Sequence, residues 1–355
     1  MIKPKEIIKK MLSTFIYTNT RIPFLFKKTL NPENIKTILF ICIKPTGIGD
    51  FIMDTPSIRL VRKAFPKARI SVLTDKDLLR DNPNVDEIII VKNYKEAWLH
   101  NKKYDLVILP NKNLIASSLA VFKLRWKYII GYIYSWEVAG NIKGINGRFD
   151  IHKTHLRRQP YEVVKNLGVG KFVEAIDPVI FNDEELRKVK EMLYNPHNRK
   201  VVLVHPAGLC RSRTWPKEKY SELIRLLVKD NYLVVVHGAK YDEEYNKHFN
   251  QPGVLNLTGK LNLYEFSALC SQAKLVITND GGPMHVALST KTPTLTLWGV
   301  TDPNRRLPSN GLNKYICAEG IPRDLYYFEY ESDDNRIDKI SVEEVYQEAI
   351  NMLQR

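Results

Sequence analysis

The feature that most constrains the fold is a repeated alternation between short apolar runs, rich in β-branched residues, and segments of helical length. Five such runs follow one another from residue 38, and five more follow from residue 200. They cover residues 38–44, 68–75, 85–92, 104–110, 127–133, 200–208, 232–238, 253–259, 274–280 and 293–299. Apolar strands separated by helices are typical of parallel sheets that are covered on both faces, so we predict an α/β protein.

The length of the chain indicates how these runs are grouped. With 355 residues, the chain exceeds one ordinary core and fits two domains. A polar stretch at 137–160 interrupts the first series, and a linker is predicted at 169–183. We expect two α/β halves of similar size at 36–168 and 184–335, followed by an amphipathic helix at 336–355 that packs on one of them. Because open parallel sheets bind ligands beyond the carboxyl ends of their strands, the residues that follow each run are the first candidates for a site.

The charge of the chain restricts the class of its partner. Lys and Arg number 54 against 39 Asp and Glu, which gives a formal net charge of +15. This excess implies an acidic partner, which could be nucleic acid, an anionic membrane or a phosphorylated substrate. The sequence contains no helix-turn-helix, zinc-finger or RRM pattern, so we do not expect nucleic acid to be the partner. The cysteines (Cys42, Cys210, Cys270 and Cys317) are not closely paired and are expected to be reduced thiols rather than disulfides or metal ligands.

The N-terminal segment at residues 1–35 is a basic extension. Its first thirty residues contain seven Lys or Arg and one Glu, and they lack the cleavage site of a secretory signal. Apolar side chains recur in it at helical spacing, at Ile7, Ile8, Met11, Leu12, Phe15 and Ile16. Two interpretations remain open, namely a helix that binds an anionic membrane surface and a helix that docks on the protein's own core.

The first stretch that carries chemistry, KPTGIGDFIMDTP at 44–56, follows the first predicted strand. Gly47 and Gly49 allow a tight turn, and the amides of the next helix favour an anion. The Asp50 carboxylate either caps this helix or serves chemistry at the end of the strand, with Asp54 as a rival. Since the spacing is not GxGxxG with an acid about twenty residues later, a nicotinamide-dependent oxidoreductase is not favoured.

The second stretch, HPAGLCRSRTWPKEKY at 205–220, follows the first predicted strand of the second half. Arg211, Arg213 and Lys217 surround Pro216, which suits the start of a helix. Positive side chains beside a helix N-terminus form a phosphate site in principle. We expect Trp215 to pack in the core rather than to stack on a base.

The third stretch, NDGGPMHVALST at 279–290, lies where an apolar run gives way to a helical pattern. Gly281 and Gly282 release the backbone, and Pro283 begins a helix whose amides suit a diphosphate. The charge of Asp280 repels phosphate, so this residue is better suited to accept hydrogen bonds from the sugar hydroxyls next to the phosphates. His285 is either a buried core imidazole or a neighbour of the leaving group.

In this order the three stretches resemble glycosyltransferase family 9, the bacterial heptosyltransferases of lipopolysaccharide core assembly. The similarity runs from about residue 38 to 305. It rests on GIGDFIMDTPSIRLVRKAFPKARISVLTD, on RTWP in place of the family's Lys-x-Trp-Pro, and on NDGGPMHVA followed by TPTLTLWGVTDP. The resemblance implies a GT-B fold, in which two Rossmann-like domains with parallel sheets face each other across a cleft. The domain at 36–168 would bind the acceptor, and the domain at 184–335 would bind the nucleotide-sugar.

The resemblance also implies roles for individual residues. Asp50 matches the proposed catalytic base, Arg213 matches the Lys that contacts the donor phosphates, and Asp280 matches the acid that binds the donor sugar. Further candidates for donor binding are Lys217, Gly281, Gly282, Pro283, Met284 and His285. Candidates for acceptor binding are Gly49, His155, Arg157 and Arg158. Two positions depart from the family pattern, because Arg213 replaces Lys and Gly281 stands where Ser is frequent.

Together these features predict an inverting glycosyltransferase that moves heptose from ADP-heptose onto a lipopolysaccharide or lipooligosaccharide core, with Asp50 as general base. The acceptor would be a phosphorylated, lipid-linked saccharide, and the enzyme would be cytoplasmic and peripheral on the inner face of the bacterial inner membrane. No acidic pair stands where a metal would bind the donor phosphates, so we expect neither a metal nor another cofactor. The alternatives are a transferase of the same fold that uses another nucleotide-sugar for a cell-surface glycan, and a GT-B nucleotide-sugar epimerase.

Overall fold

The computed structural model describes residues 28–43, 47–110, 119–120, 123–134, 137–140, 142, 146–148, 158–172, 176–195, 197–208, 210–308, 311–320 and 334–355. The chain divides into two compact units, Met1–Glu174 and Ala175–Arg355. Most of the basic N-terminal extension, residues 1–27, lies outside the described residues, and so do both interpretations of it. None of the helices within the described ranges is both long enough and apolar enough to cross a membrane.

The first unit is built on a mixed sheet. Its strands are β1 (Thr37–Cys42), β2 (Arg69–Thr74), β3 (Glu87–Ile90), β4 (Lys103–Leu109), β5 (Arg125–Tyr134), β6 (Glu137–Gly140) and β7 (Asn146–Arg148). Its helices are α1 (Ile48–Ala64), α2 (Tyr94–Leu99) and α3 (Arg158–Val164), with 3₁₀ turns at Pro32–Asn34 and Lys165–Leu167. The strand order is β3-β2-β1-β4-β5-β6-β7. Strands β1 to β5 pair in parallel, whereas β6 and β7 form an antiparallel extension.

The second unit is built on a parallel sheet. Its strands are β8 (Val201–His205), β9 (Leu233–Val236), β10 (Val254–Asn256), β11 (Leu275–Asn279), β12 (Thr294–Trp298) and β13 (Asn313–Cys317), in the order β10-β9-β8-β11-β12-β13. Its helices are α4 (Asp183–Leu193), α5 (Lys217–Lys229), α6 (Glu243–Asn246), α7 (Leu263–Gln272), α8 (Gly282–Ser289) and α9 (Val342–Gln354). Its 3₁₀ turns are Arg211–Arg213, Lys240–Asp242, Lys247–Phe249, Pro303–Arg305 and Arg336–Lys339.

All ten apolar runs of the sequence contain strands, and the neighbouring strands pair in parallel, which confirms the α/β prediction. The sequence did not predict β6, β7 or β13. Strands β6 and β7 are only four and three residues long and lie in the polar stretch at 137–160, which has no apolar run. Strand β13 lies at an edge of its sheet and is largely exposed, so it carries no apolar run.

The strand order determines where a ligand can bind. The order of the second sheet corresponds to 3-2-1-4-5-6, the Rossmann arrangement, and β1 to β5 follow the same rule in the first sheet. The order reverses between β8 and β11, so the loops that leave the carboxyl ends of these two strands diverge and leave a crevice between them. In the first unit the equivalent point lies between β1 and β4.

The C-terminal helix α9 packs on the second unit, as the amphipathic pattern predicts. Its N-cap residue Ser341 accepts a hydrogen bond from the backbone N–H of Glu344 at 3.1 Å. On its apolar face, Val345, Ala349 and Leu353 are fully buried in the main hydrophobic cluster of this unit. The helix therefore belongs to the core that supports the second sheet.

A pair of buried histidines lies at the carboxyl edge of the second sheet. His205 ends β8, His237 follows β9, and their Nδ1 atoms are 3.2 Å apart. The His237 ring stacks on Phe266 of α7 with a centroid separation of 4.0 Å. Burial lowers the pKa of His205 to about 4, and burial together with the neighbouring His205 lowers the pKa of His237 well below its usual value. Both rings are therefore neutral at pH 7, and one donates a hydrogen bond to the other.

We predict that acid destabilises the second unit through this pair. Unfolded histidines bind a proton near pH 6.5, so between about pH 6.5 and 4 the unfolded state binds more protons, and stability falls by about 1.4 kcal/mol per pH unit for each histidine. Urea unfolding followed by tryptophan fluorescence at pH 7 and 5 measures this loss. His237→Gln should reduce the pH dependence, whereas the same change at the exposed His248 should preserve it. Equal pH dependence in both variants would contradict the prediction.

Candidate functional site

Two loops meet at the carboxyl edge of the second sheet, between β8 and β11. The 3₁₀ turn that contains Arg213 follows β8, and Asp280 follows β11 directly. Arg213 Nη1 lies 3.3 Å from Asp280 Oδ2, and Arg213 Nε lies 3.2 Å from the Cys210 Sγ atom. The structure therefore brings together two residues that the sequence assigned to the donor.

Asn279, the last residue of β11, ties the two loops together. Its Oδ1 accepts hydrogen bonds from the backbone N–H of Trp215 at 3.1 Å and from the Tyr220 hydroxyl at 3.0 Å. Its Nδ2 donates to the carbonyl of Pro206 at 2.9 Å. All these groups are buried, so the amide fixes the loop after β8 and the start of α5 against the end of β11. Asp280, the next residue, is thereby held at a defined distance from Arg213.

The Arg211–Arg213 turn is also held from its other side. A Cβ atom at Gly299, directly after β12, would lie 2.2 Å from the carbonyl oxygen of Ser212, so this close approach requires glycine. The Trp215 ring is fully buried and donates from Nε1 to the carbonyl of Ile340 at 3.1 Å. Trp215 is thus a packing residue, as predicted, and the turn has little freedom to move.

The Asp280 carboxylate is buried and surrounded by donors. Its Oδ2 accepts a hydrogen bond from the Thr301 hydroxyl at 2.7 Å, and Arg306 Nε lies 4.0 Å from the same oxygen. Burial by itself would raise the pKa of Asp280, but the charges of Arg306 and Arg213, the Thr301 hydroxyl and His285 together lower it. The carboxylate is therefore ionised at neutral pH and can only accept hydrogen bonds, which suits the hydroxyl groups of a sugar.

Helix α8 begins beside this carboxylate. Gly281 is its N-cap residue, and no side chain caps the first turn. The φ of Gly281 is −178°, and an added Cβ would meet only Pro283 Cδ at 3.6 Å, so a serine would fit at this position. The first-turn amides of a helix point outward along its axis and favour an anion, although Pro283 contributes no N–H. The start of α8 is therefore suited to phosphate.

The side chains of Met284 and His285 point into the protein rather than to solvent. Met284 is fully buried in a small cluster with Leu288, Trp298 and Leu307. His285 is also buried and lies close enough to Asp280 to lower the pKa of that carboxyl group. Met284 can therefore offer a ligand only its backbone amide, whereas His285 contributes to the charge balance of the site.

Lys217 makes no contact with the Arg213–Asp280 pair among the described residues. It is exposed at the first position of α5, and no hydrogen bond or ion pair joins it to Arg213 or Asp280 among the described residues. Lys219 instead uses its ammonium group to hold the carbonyls of Asp338 at 2.5 Å and Ile340 at 2.7 Å. The role of Lys217 in donor binding stays a prediction.

In the first unit, Asp50 lies at the start of α1. Its Oδ2 accepts a hydrogen bond from the backbone N–H of Gly47 at 2.9 Å, and Gly49 is buried in the same turn. Asp54, the rival residue, is fully buried beside Cys42, and burial together with the charge of Asp54 raises the pKa of that thiol well above its usual range. Asp50 therefore caps the start of α1, as one of its two interpretations predicts, and its role as a base stays a prediction. Asp50 is partly exposed, whereas Asp54 is enclosed.

The acceptor candidates of the connecting loop stay predictions. His155 and Arg157 lie outside the described residues. Arg158 begins α3, but its side chain is also outside the described part of the chain.

Sequence reasoning missed Asn279, Thr301 and Arg306. Thr301 follows a predicted strand by two residues, so the rule that sites lie after strand ends could have found it. Asn279 is the last residue of a strand, and its role follows only from its hydrogen-bond partners, which the sequence does not reveal. Arg306 follows a 3₁₀ turn at Pro303–Arg305, and sequence spacing does not indicate which way its side chain points.

Comparisons with known proteins show which sequences the chain is similar to. A sequence model of the family described as "Glycosyltransferase family 9 (heptosyltransferase)" matches residues 96–323. A curated relative, lipopolysaccharide heptosyltransferase 2 of Escherichia coli K12, is 31% identical over 298 residues, which cover 74% of this chain and 83% of the relative.

Solved structures show the same fold. A family 9 glycosyltransferase of Veillonella parvula superposes with a TM-score of 0.76 at 21% identity, over 92% of this chain and 99% of its own. The structure described as "E. coli ADP-heptose lps heptosyltransferase II" superposes with a TM-score of 0.70 at 19% identity, over 89% and 98%. These similarities confirm the predicted GT-B fold class.

We predict that Asn279→Ala loosens the whole site. The change leaves the N–H of Trp215, the hydroxyl of Tyr220 and the carbonyl of Pro206 without their partner, so it should cost about 2–4 kcal/mol of unfolding free energy. Urea unfolding measures this loss. The matched control Asn250→Ala, at an exposed position, should change stability by less than about 0.5 kcal/mol. If both variants lost the same small amount, Asn279 would not tie the loops together.

Proposed function

The chain belongs to glycosyltransferase family 9, the heptosyltransferases, and we propose that it transfers heptose from ADP-heptose to a lipopolysaccharide or lipooligosaccharide core. The observation that carries this proposal is the pairing of Arg213 with Asp280 beside the start of α8. A cation, a helix N-terminus and an ionised carboxylate meet there at the reversal point of a Rossmann sheet. These are the groups that a sugar attached to a diphosphate requires.

The donor would bind with its diphosphate at the start of α8. The first-turn amides of α8 and the Arg213 guanidinium bind the phosphates, and Asp280 accepts hydrogen bonds from sugar hydroxyls. ADP-heptose is favoured as the donor because the name of the similar E. coli structure includes it. Because amides and guanidinium groups supply the positive charge, the transfer would need neither a metal nor another cofactor.

The transfer itself would be a direct displacement with inversion at the anomeric carbon. A hydroxyl oxygen of the acceptor forms the new bond to this carbon while the bond to the β-phosphate oxygen breaks. Asp50 takes the proton of the hydroxyl, and the nucleoside diphosphate leaves with its growing charge held by Arg213 and the amides of α8. Support for Asp50 comes from its partly exposed position at the start of α1, in contrast to the enclosed Asp54.

The acceptor would be a phosphorylated, lipid-linked saccharide at the inner face of the bacterial inner membrane. The net charge of +15 favours such an acceptor and an anionic surface. Gly49, His155, Arg157 and Arg158 are the proposed contacts to it. The basic segment at residues 1–27 would add to the attraction to the membrane.

We predict that Asp50→Ala lowers kcat by about 10²- to 10⁴-fold, because the acceptor hydroxyl loses its base. Donor affinity, measured by calorimetry, should stay unchanged, since the proposed donor groups lie in the second unit. Asp54→Asn is the matched control in the same helix, and we expect it to retain turnover. An Asp50 variant with full turnover would remove this residue from the base role.

We also predict that ADP stabilises the protein against heat more than UDP or GDP does. A thermal-shift series with the three nucleoside diphosphates at equal concentration measures this selectivity. A hundredfold excess of ADP over its Kd would add about 2.7 kcal/mol of stability. A larger shift with UDP or GDP would contradict ADP-heptose as the donor and favour another nucleotide-sugar.

A further inference from the structure

Arg306 is a buried cation whose position is not explained by the contacts it makes. It follows the 3₁₀ turn after β12 and has only 8% of its surface exposed. Its Nε lies 4.0 Å from Asp280 Oδ2, which is longer than a good hydrogen bond. Its Nη1 is buried and has no hydrogen-bond partner among the described residues. A buried guanidinium with unused donors is costly unless a ligand completes it.

Asp280 alone does not account for this cation. Its Oδ2 already accepts the Thr301 hydroxyl at 2.7 Å and lies 3.3 Å from Arg213 Nη1. One carboxylate therefore faces two guanidinium groups, and the start of α8 adds the positive end of a helix. The charges that the described residues place around Asp280 leave an excess of positive charge, which a bound anion would balance.

We propose that Arg306 binds the β-phosphate of the donor, the phosphate that carries the sugar. The inference rests on the proposed function, in which Asp280 binds the sugar and the start of α8 binds the diphosphate. Since Arg306 lies beside the same oxygen of Asp280, the phosphate nearest to it is the one next to the sugar. Arg213 approaches from the loop after β8, so the two guanidinium groups come from different loops around one anion.

This position gives Arg306 a role in the reaction step as well as in binding. When the bond between the anomeric carbon and the β-phosphate oxygen breaks, the electron pair stays on the phosphate, and its negative charge grows. A guanidinium held in a buried site stabilises that charge more strongly in the transition state than in the bound donor. Its planar fork also fixes two phosphate oxygens, which an ammonium group does not.

The test compares ADP with AMP, because only ADP contains the β-phosphate. Calorimetry with each nucleotide is carried out on the full chain and on Arg306→Gln, Arg306→Lys and the control Arg225→Gln, which removes the same charge from an exposed position on α5. We expect Arg306→Gln to weaken ADP binding by about ten- to hundredfold and AMP binding by less than about threefold. Arg306→Lys should lie between wild type and Arg306→Gln, and the control should change both affinities by less than about threefold.

Kinetics adds a result that a merely structural role would not produce. With saturating acceptor, Arg306→Lys should lower kcat by a larger factor than it raises the KM of the donor, because the contact strengthens as the leaving group forms. If Arg306→Gln fails to fold, Arg306→Lys still has to weaken ADP more than AMP. The inference would be overturned if wild type and both Arg306 variants bound ADP with the same affinity. It would also be overturned if the variants lost as much affinity for AMP as for ADP.

Failure of the proposed function gives a different pattern. In that case the wild-type chain itself binds none of ADP, UDP or GDP, and the inference falls with it. If UDP or GDP binds instead, the same comparison is made with UMP or GMP. Wild-type binding together with an unaffected Arg306→Gln variant would reject only the role of Arg306.

Discussion

The buried charge of Asp280 is the constraint on which the donor site depends. Burial opposes ionisation, and the charges of Arg306 and Arg213 keep the carboxylate ionised. Those two residues come from the loops after β12 and β8, so a single charge balance links three neighbouring strands of the sheet. The Asn279 amide fixes the loop after β8 against the end of β11 with neutral hydrogen bonds. The two cations therefore stabilise the charged form of the carboxylate that the donor site presents.

The two units use the same local structure in different ways. Each has a helix that begins soon after a central strand, at the point where the strand order reverses. In the first unit Asp50 closes the start of α1 by binding the amide of Gly47. In the second unit Gly281 provides no side-chain cap for α8. The first helix start is thus capped by a carboxylate, whereas the second has no side-chain cap, which favours an anion there.

The sequence predicted the parts of the structure that depend on local pattern. Apolar runs predicted ten of the thirteen described strands, and the rule that ligands bind after strand ends led to Arg213 and Asp280. The apolar-run pattern could not find β13, because this edge strand is largely exposed and needs no apolar run. Spacing also could not show that the Met284 side chain is buried and that the Lys217 side chain is exposed. Which way a side chain points depends on packing against distant residues, and Arg306 was missed for the same reason.

The most direct test of the central claim is a crystal structure of the chain with ADP. We expect the diphosphate to lie against the first-turn amides of α8, within hydrogen-bonding distance of the Arg213 guanidinium. Asp280 should lie beside the terminal phosphate and should not contact the adenine ring. A diphosphate bound at another edge of the second sheet would contradict the claim that Arg213, Asp280 and the start of α8 form the donor site. An adenine ring in the place beside Asp280 would contradict it as well.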